Sequence, residues 1–410
     1  MERLLTDERL QLRILVAPDS LKETIDAPAA ASAMAAGVRA VLPGAEVVLV
    51  PIADGGEGTL RVLATSIPDL DILESTVPGP RPDRPPVRAH WGLREDRRLA
   101  IVELAEASGL ARLEVPDRDP LATGTSGIGH LLEEARSRLL RSDSRPSELM
   151  LALGGSSTVD GGIGAARALG MVVEGPSGSS DRPLVGADLA AVTTLRRDPA
   201  CQERWDGIRL RLLGDVDNPL LGPLGAARVF GPQKGADGPS VERLEAGLEH
   251  WSRIMESVVG ESCVGPGTGA AGGMAVGLAP LIIREASRAG GRPVDLGAGM
   301  ESGFGAVAEA VGLDRQLETA DLVITSEGSL DRQSMMGKAV GRLVARAEHA
   351  GVPVLAVPGT TKDLDAATAD RFRVIRSLTE EVGFERAWKD PVQALGTTVA
   401  RALRTWNRQA

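Results

Sequence analysis

The chain has 410 residues, 43% of them hydrophobic, and a net charge of −10; it is too long for one ordinary core, so two domains are expected. The acidic balance argues against a nucleic-acid or anionic-membrane surface, and aromatics at 2%, with no tyrosine, leave no platforms for base stacking. Cys201 and Cys263 offer neither a metal-ligand spacing nor a disulfide framework and read as small buried residues.

Residues 1–9 contain no apolar signal-like region and read as a short frayed lead-in. The longest apolar stretches, such as 275–283, are too short to span a bilayer, which leads to the expectation of a cytoplasmic protein. Residues 13–17 predict the first strand, and the alanine-rich run 28–41 a helix, with Asp26 near its start and Pro43-Gly44 ending it. A second strand, 46–52, runs into Ala53-Asp54-Gly55-Gly56-Glu57-Gly58. The proline-rich segment 77–86 can be neither helix nor central strand and reads as a crossing or linker. Strands follow at 99–104, 149–153 and 208–213, and the Ser/Gly-rich run 175–181 reads as a surface loop. The strand–helix rhythm returns with strands at 321–325 and 352–357 flanking a helix at 338–349. This alternation predicts an α/β protein with a largely parallel sheet. Residues 1–76 plus 290–410 are expected to form one discontinuous domain and 77–289 an inserted one.

Only five of the 46 Lys and Arg residues are lysine: Lys22, Lys234, Lys338, Lys362 and Lys389. The first three lie in glycine- or acid-rich stretches. In so arginine-rich a chain, a retained ammonium suggests a task for a compact point charge, of which contacting phosphate is the commonest.

The strong motifs follow predicted strands, and ligands of open α/β sheets collect at that carboxyl edge. Asp19, Asp54, Asp160, Asp215 and Asp331 all fall there. Such a row of carboxylates repels itself unless a cation lies among them, and Mg²⁺ bound through carboxylates and phosphate oxygens would relieve it. Gly154-Gly155-Ser156-Ser157-Thr158-Val159-Asp160 leads from a strand to a helix. It reads equally as an anion cradle or as a tight turn with an Asp cap. Asp54, Gly55 and Glu57 form a similar turn. Asp215-Val216-Asp217-Asn218-Pro219 is the best-placed source of a general base, the other reading being an Asx-turn before proline. Gly272 and Gly273, in a glycine run opening a helix, could cradle phosphate, and Ser326-Glu327 to Asp331 is an acidic turn. The residues around Gly337-Lys338 fail a phosphate-binding P-loop, because Arg332 and Ala339 occupy its required positions. No GxGxxG follows the first strand. The four histidines lie outside these motifs, so a Ser-His-Asp or His–metal site has little support.

Taken together, the stretches 17–22, 51–59, 119–129, 154–162, 215–220, 225–236, 269–274 and 321–338 closely resemble the bacterial glycerate kinase family. The run Gly225-Ala226-Ala227-Arg228-Val229-Phe230-Gly231-Pro232-Gln233-Lys234-Gly235-Ala236 is the most distinctive. The resemblance covers the chain from about residue 13 onward. It implies two α/β domains, one discontinuous and Rossmann-like and one inserted and flavodoxin-like, with the active site in the cleft between them. It also implies ATP and Mg²⁺, and D-glycerate as the acceptor, giving 2-phosphoglycerate. Ser326, Val340, Gly124, His130 and Gly214 depart from the family's usual residues, but no carboxylate or lysine of the main motifs is lost.

On this reading Asp215, or else Asp160, takes the hydroxyl proton, and Lys22, Lys234 and Lys338 balance phosphate or carboxylate charge. Arg228 clamps a carboxylate, with Asp19, Ser20, Asp54, Gly55, Gly155, Ser156, Thr158, Asn218, Gln233, Gly272 and Gly273 as further substrate or phosphate contacts. Glu57, Glu327 and Asp331 are the candidates for Mg²⁺. A kinase for a related hydroxy acid or polyol, or a non-catalytic small-acid sensor on the same scaffold, is the alternative. A monomer or homodimer is expected, with no nucleic-acid or membrane partner.

Overall fold

The structure, a computed structural model, describes residues 12–21, 24–140, 146–175, 182–288, 300–335 and 337–409. The expected lead-in 1–9, Lys22, most of the loop 175–181 and the boundary at 289/290 lie outside them. The chain divides into two units, one made of 1–54, 61–67 and 304–410, the other of 55–60 and 68–303.

The discontinuous unit is built on five parallel strands in the spatial order Val374–Ile375, Val354–Ala356, Leu322–Thr325, Arg13–Val16, Glu46–Leu49. The central strands are short runs rich in Val, Leu and Ile that are buried on both faces, as suits a parallel sheet, while the edge strand Glu46–Leu49 is partly exposed. Counted along this unit, the order is 2-1-3-4-5, a doubly wound arrangement. Its switch point lies between Arg13–Val16 and Leu322–Thr325. One face is covered by the helices Ala27–Arg39 and Pro391–Gln409, which join the two ends of the chain through Ala30, Met34, Leu395 and Val399. The first of these helices starts where the sequence says it must, with the Asp26 carboxylate accepting the Ala29 N–H at 2.9 Å. The other face packs Phe304, Leu313, Val340 and Leu343.

The inserted unit carries a six-stranded sheet in the order Met300–Glu301, Ile208–Leu213, Ser147–Ala152, Leu99–Glu103, Val87–Arg94, Leu70–Val77. The first four strands are parallel, and the last two form an antiparallel hairpin in which Val77 pairs with Val87. The proline-rich run therefore begins on the last residue of one strand and connects it to the next strand of the same sheet. Its flanking strands alternate weakly in hydrophobicity, which hides them from a pattern reading. Residues 70–76 and Met300–Glu301 belong to this second sheet, although the sequence reading grouped 70–76 and 300–301 with the chain ends. The long helix Gly238–Val259 is capped by Asp237 on Ser240 N and closed by left-handed Gly260. It buries Leu244, Leu248, Trp251 and Met255 in the core.

Candidate functional site

In the discontinuous unit the functional candidates gather at the switch point. The ends of its two central strands are tied together: Thr325 Oγ1 donates to Ala17 O at 2.7 Å, and Asp19 N to Ser326 O at 2.8 Å. Asp19 Oδ1 accepts the N–H of Ser20 at 2.7 Å. Asp331 Oδ1 accepts Ser334 N at 2.9 Å and stands 3.9 Å from the exposed ammonium of Lys338. Glu327 is 7% exposed, and its Oε1 is buried without a hydrogen-bond partner among the described residues. Burial raises its carboxyl to about 7. The Ser334 hydrogen bond and the charge of Lys338 oppose that rise, while Asp19 and Asp331 add to it. Asp54 is half-buried at the end of the same sheet.

The inserted unit is built differently. The turn after Ser147–Ala152 and the turn holding Gly55 and Gly56 lie edge to edge, with Gly154 N donating to Gly55 O at 3.0 Å. A Cβ on Gly154 would sit 2.4 Å from Gly56 Cα, so only glycine fits. Gly155 is exposed, and Ser156 is nearly buried. Gly272 has φ +69°, and a side chain there would strike Thr158 O at 2.1 Å. The glycine run is thus packed behind the Gly154–Asp160 loop, and Gly161 N donates to Gly272 O at 2.9 Å. Gly273 is buried alongside.

Three buried charges hold these turns. Asp160, with no exposure, accepts Thr125 N at 2.9 Å, Thr125 Oγ1 at 2.7 Å, Gly162 N at 3.1 Å and Gly164 N at 3.3 Å. Burial raises its pKa against those bonds. It anchors the start of the helix Ile163–Ala168, so of the two readings of this loop the geometry gives Asp160 the capping role. Lys234 Nζ donates to Ser156 Oγ at 2.7 Å and to Thr158 O at 2.8 Å. Burial lowers the Lys234 ammonium to about 7, against the pull of Asp160. Its charge is turned inward, beneath the loop. Thr158 is itself fully buried, its hydroxyl unpartnered among the described residues.

Glu103 is the third, and sequence reasoning missed it. It ends the strand Leu99–Glu103 at 3% exposure, with Oε1 accepting Leu60 N at 2.5 Å and Oε2 accepting Gly58 N at 3.2 Å. Burial raises it to about 7, with the two backbone bonds opposing and the charges of Glu106 and Glu57 adding. One signal was present: a lone carboxylate closing the apolar run Leu99-Ala100-Ile101-Val102.

Asp215 lies half-buried at the end of Ile208–Leu213, and Ser302 Oγ donates to its Oδ1 at 2.8 Å. Nothing in the local sequence announces Ser302, 87 residues away. Asn218 folds its own loop, donating from Nδ2 to Leu224 O at 2.8 Å and accepting Gly269 N on its carbonyl at 2.9 Å. Arg228 is taken up by both oxygens of Glu242, so its fork is already filled by a carboxylate of its own chain. Gln233 and Glu57 are exposed. The three metal candidates are divided, Glu57 in the inserted unit and Glu327 and Asp331 in the other. Among the described residues no three His, Cys, Asp or Glu side chains are arranged to hold a metal ion by themselves, and no helix is long and apolar enough to cross a membrane.

Parallel strands ending in glycine-lined turns, with a supported aspartate and acidic residues at a switch point, define an α/β enzyme that handles small anionic molecules. The profile of the glycerate kinase family matches residues 14–407. Glycerate kinase of Bacillus subtilis is 37% identical over 352 residues, 85% of each chain. That of Haemophilus influenzae is 36% identical over 403 residues, 96% of this chain and 99% of the relative. Glycerate 2-kinase of Escherichia coli is 33% identical over 86% of each. The crystal structure of a glycerate kinase 2 candidate from Salmonella typhimurium LT2 superposes with a TM-score of 0.73 at 29% identity, covering 97% of this chain and all of that one. The chain belongs to the glycerate kinase family, and it is a phosphotransferase with an alcohol group as acceptor.

Proposed function

We propose that the chain transfers the γ-phosphoryl group of ATP to the 2-hydroxyl of D-glycerate, giving 2-phosphoglycerate and ADP. The observation that carries the chemistry is Asp215: a half-buried carboxylate at a strand's carboxyl end, one oxygen held by Ser302. A carboxylate so oriented can accept the acceptor's hydroxyl proton as the oxygen attacks phosphorus. Asp160, enclosed by four donors, is not the base on this reading. The exposed backbone at Gly155 and the loop that Lys234 braces offer N–H groups to phosphate oxygens. Lys234 contributes by holding that loop, and Lys338, exposed beside Asp331, is the ammonium available to a phosphate. The position of transfer is supported by the relative named glycerate 2-kinase.

Mg²⁺ fits the acidic turn of the discontinuous unit, because Glu327 keeps a buried oxygen without a partner among the described residues and Asp331 lies beside it. One or two carboxylates suffice when phosphate oxygens and water complete the shell. When bound, the ion would neutralise charge on the nucleotide's phosphates.

The test is the ³¹P spectrum of the product formed from ATP and D-glycerate. Phosphate on C2 couples to one proton and gives a doublet, the expected result. A triplet would move the transfer to C3, and no phosphorylated glycerate at all would reject the reading.

A further inference from the structure

We infer that Glu103 is a positioning residue for the reaction, fixing the Gly55–Gly58 turn through the backbone N–H groups of Gly58 and Leu60. This rests on the kinase reading above and adds a residue to it. The turn cannot cap itself. Its glycines contribute no side chains, and the helix it opens, Thr59–Ser66, begins with N–H groups that have no partner within the helix. Gly58, at the cap position, has no side chain to bond them, and Thr59 Oγ1 is buried without a partner among the described residues. The cap comes instead from across the unit, from a carboxylate 43 to 45 residues away in sequence.

The location gives this support a catalytic consequence. Glu103 ends one central strand, and the next strand of the sheet leads into the turn at Gly154, whose N–H is bonded to Gly55 O. A Cβ on Gly55 would meet Leu213 O at 3.3 Å, one residue before Gly214-Asp215. One carboxylate therefore fixes a turn that touches both the Gly154 loop and the strand end that presents the proposed base. A buried charge is costly, and nothing in the core requires one at residue 103. Apolar residues fill the rest of that strand. The charges of Glu106 and Glu57 repel it, and among the described residues its ionised form is held by the two N–H groups.

The test compares wild type, Glu103→Gln and Glu103→Ala by steady-state kinetics, thermal melting and peptide-resolved hydrogen exchange. The expected result for Ala is a loss in kcat/KM on the order of 10²-fold, with faster exchange confined to the peptide covering 55–60. Gln keeps one good acceptor and should show a smaller loss of the same kind. Equal kinetics in both variants, whatever their melting temperatures, would overturn the inference. So would exchange that rises evenly across the inserted unit, which is the signature of a general stability role. If Ala does not fold, Gln decides alone on the same two readouts. Because local exchange is read without substrate, failure of this inference is distinguishable from failure of the kinase reading.

Discussion

The two units solve the same problem, presenting charge at the end of a parallel sheet, by opposite means. In the discontinuous unit two of the carboxylates at the sheet's end accept N–H groups from their own turns: Asp19 from the next residue, Asp331 from Ser334 three residues on. In the inserted unit the buried charges reach long-range partners as well, Asp160 adding Thr125 to the nearby N–H groups of Gly162 and Gly164. Asp160 holds Thr125, Lys234 holds Ser156 and Thr158, and Glu103 holds Gly58 and Leu60. Local satisfaction leaves a turn free to change its contacts when a ligand or ion arrives. Long-range satisfaction by buried charges makes a rigid frame, because removing one partner strands the other in the interior. The turns of the inserted unit are thus the more rigidly framed, and those of the discontinuous unit the more adaptable.

The sharpest way to break this contrast is at the base. Asp215→Asn keeps the shape of the side chain and the Ser302 contact but removes the proton acceptor, so kcat should fall on the order of 10²-fold or more, with glycerate binding retained by calorimetry. Next in size is Gly154→Ala. The added Cβ must push the two turns of the inserted unit apart, so activity should fall together with a stability loss of about 1–3 kcal/mol, read by denaturant melts. Lys234→Met, which leaves Ser156 and Thr158 O without their buried donor, should cost about 1–3 kcal/mol. The matching change in the discontinuous unit, Lys338→Met, removes an exposed ammonium and should leave the melting temperature within a degree or so of wild type, as surface ion pairs contribute little. If Lys338→Met proves as destabilising as Lys234→Met, the contrast between the units is lost.

The same buried groups set a pH dependence of stability. Glu103 and Glu327 hold protons more tightly when folded, at about 7 against 4.5, so their contribution falls as pH rises from 4.5 to about 7 and is level above it. Lys234 holds its proton less tightly when folded, at about 7 against 10.5, so its contribution rises between those values. The melting temperature should show a falling limb and then a rising one. Lys234→Met should flatten the upper limb and leave the lower.

What could be read from the sequence follows the same division. The strand ends carrying Asp19, Asp54 and Asp215 were legible because each motif is written in consecutive residues. The helix start at Asp26 and the parallel pairing of short apolar runs were legible for that reason too. Glu103's role, the Ser302–Asp215 bond and the inward turn of Lys234 were not, because each depends on a partner tens of residues away. Arg228 illustrates the cost. Its place in a distinctive motif suggested a substrate clamp, yet Glu242, one helix further on, occupies its guanidinium. The hairpin Leu70–Val77 and Val87–Arg94 was missed on other grounds: its prolines lie between the strands, and its outer strand is too exposed to alternate cleanly.

The most direct test is ADP release from ATP by the purified chain, with and without D-glycerate, in wild type and in Asp215→Asn. Wild type should release ADP only when glycerate is present, and that release should collapse in the variant. Equal release without glycerate, or an Asn variant that turns over at the wild-type rate, would contradict it.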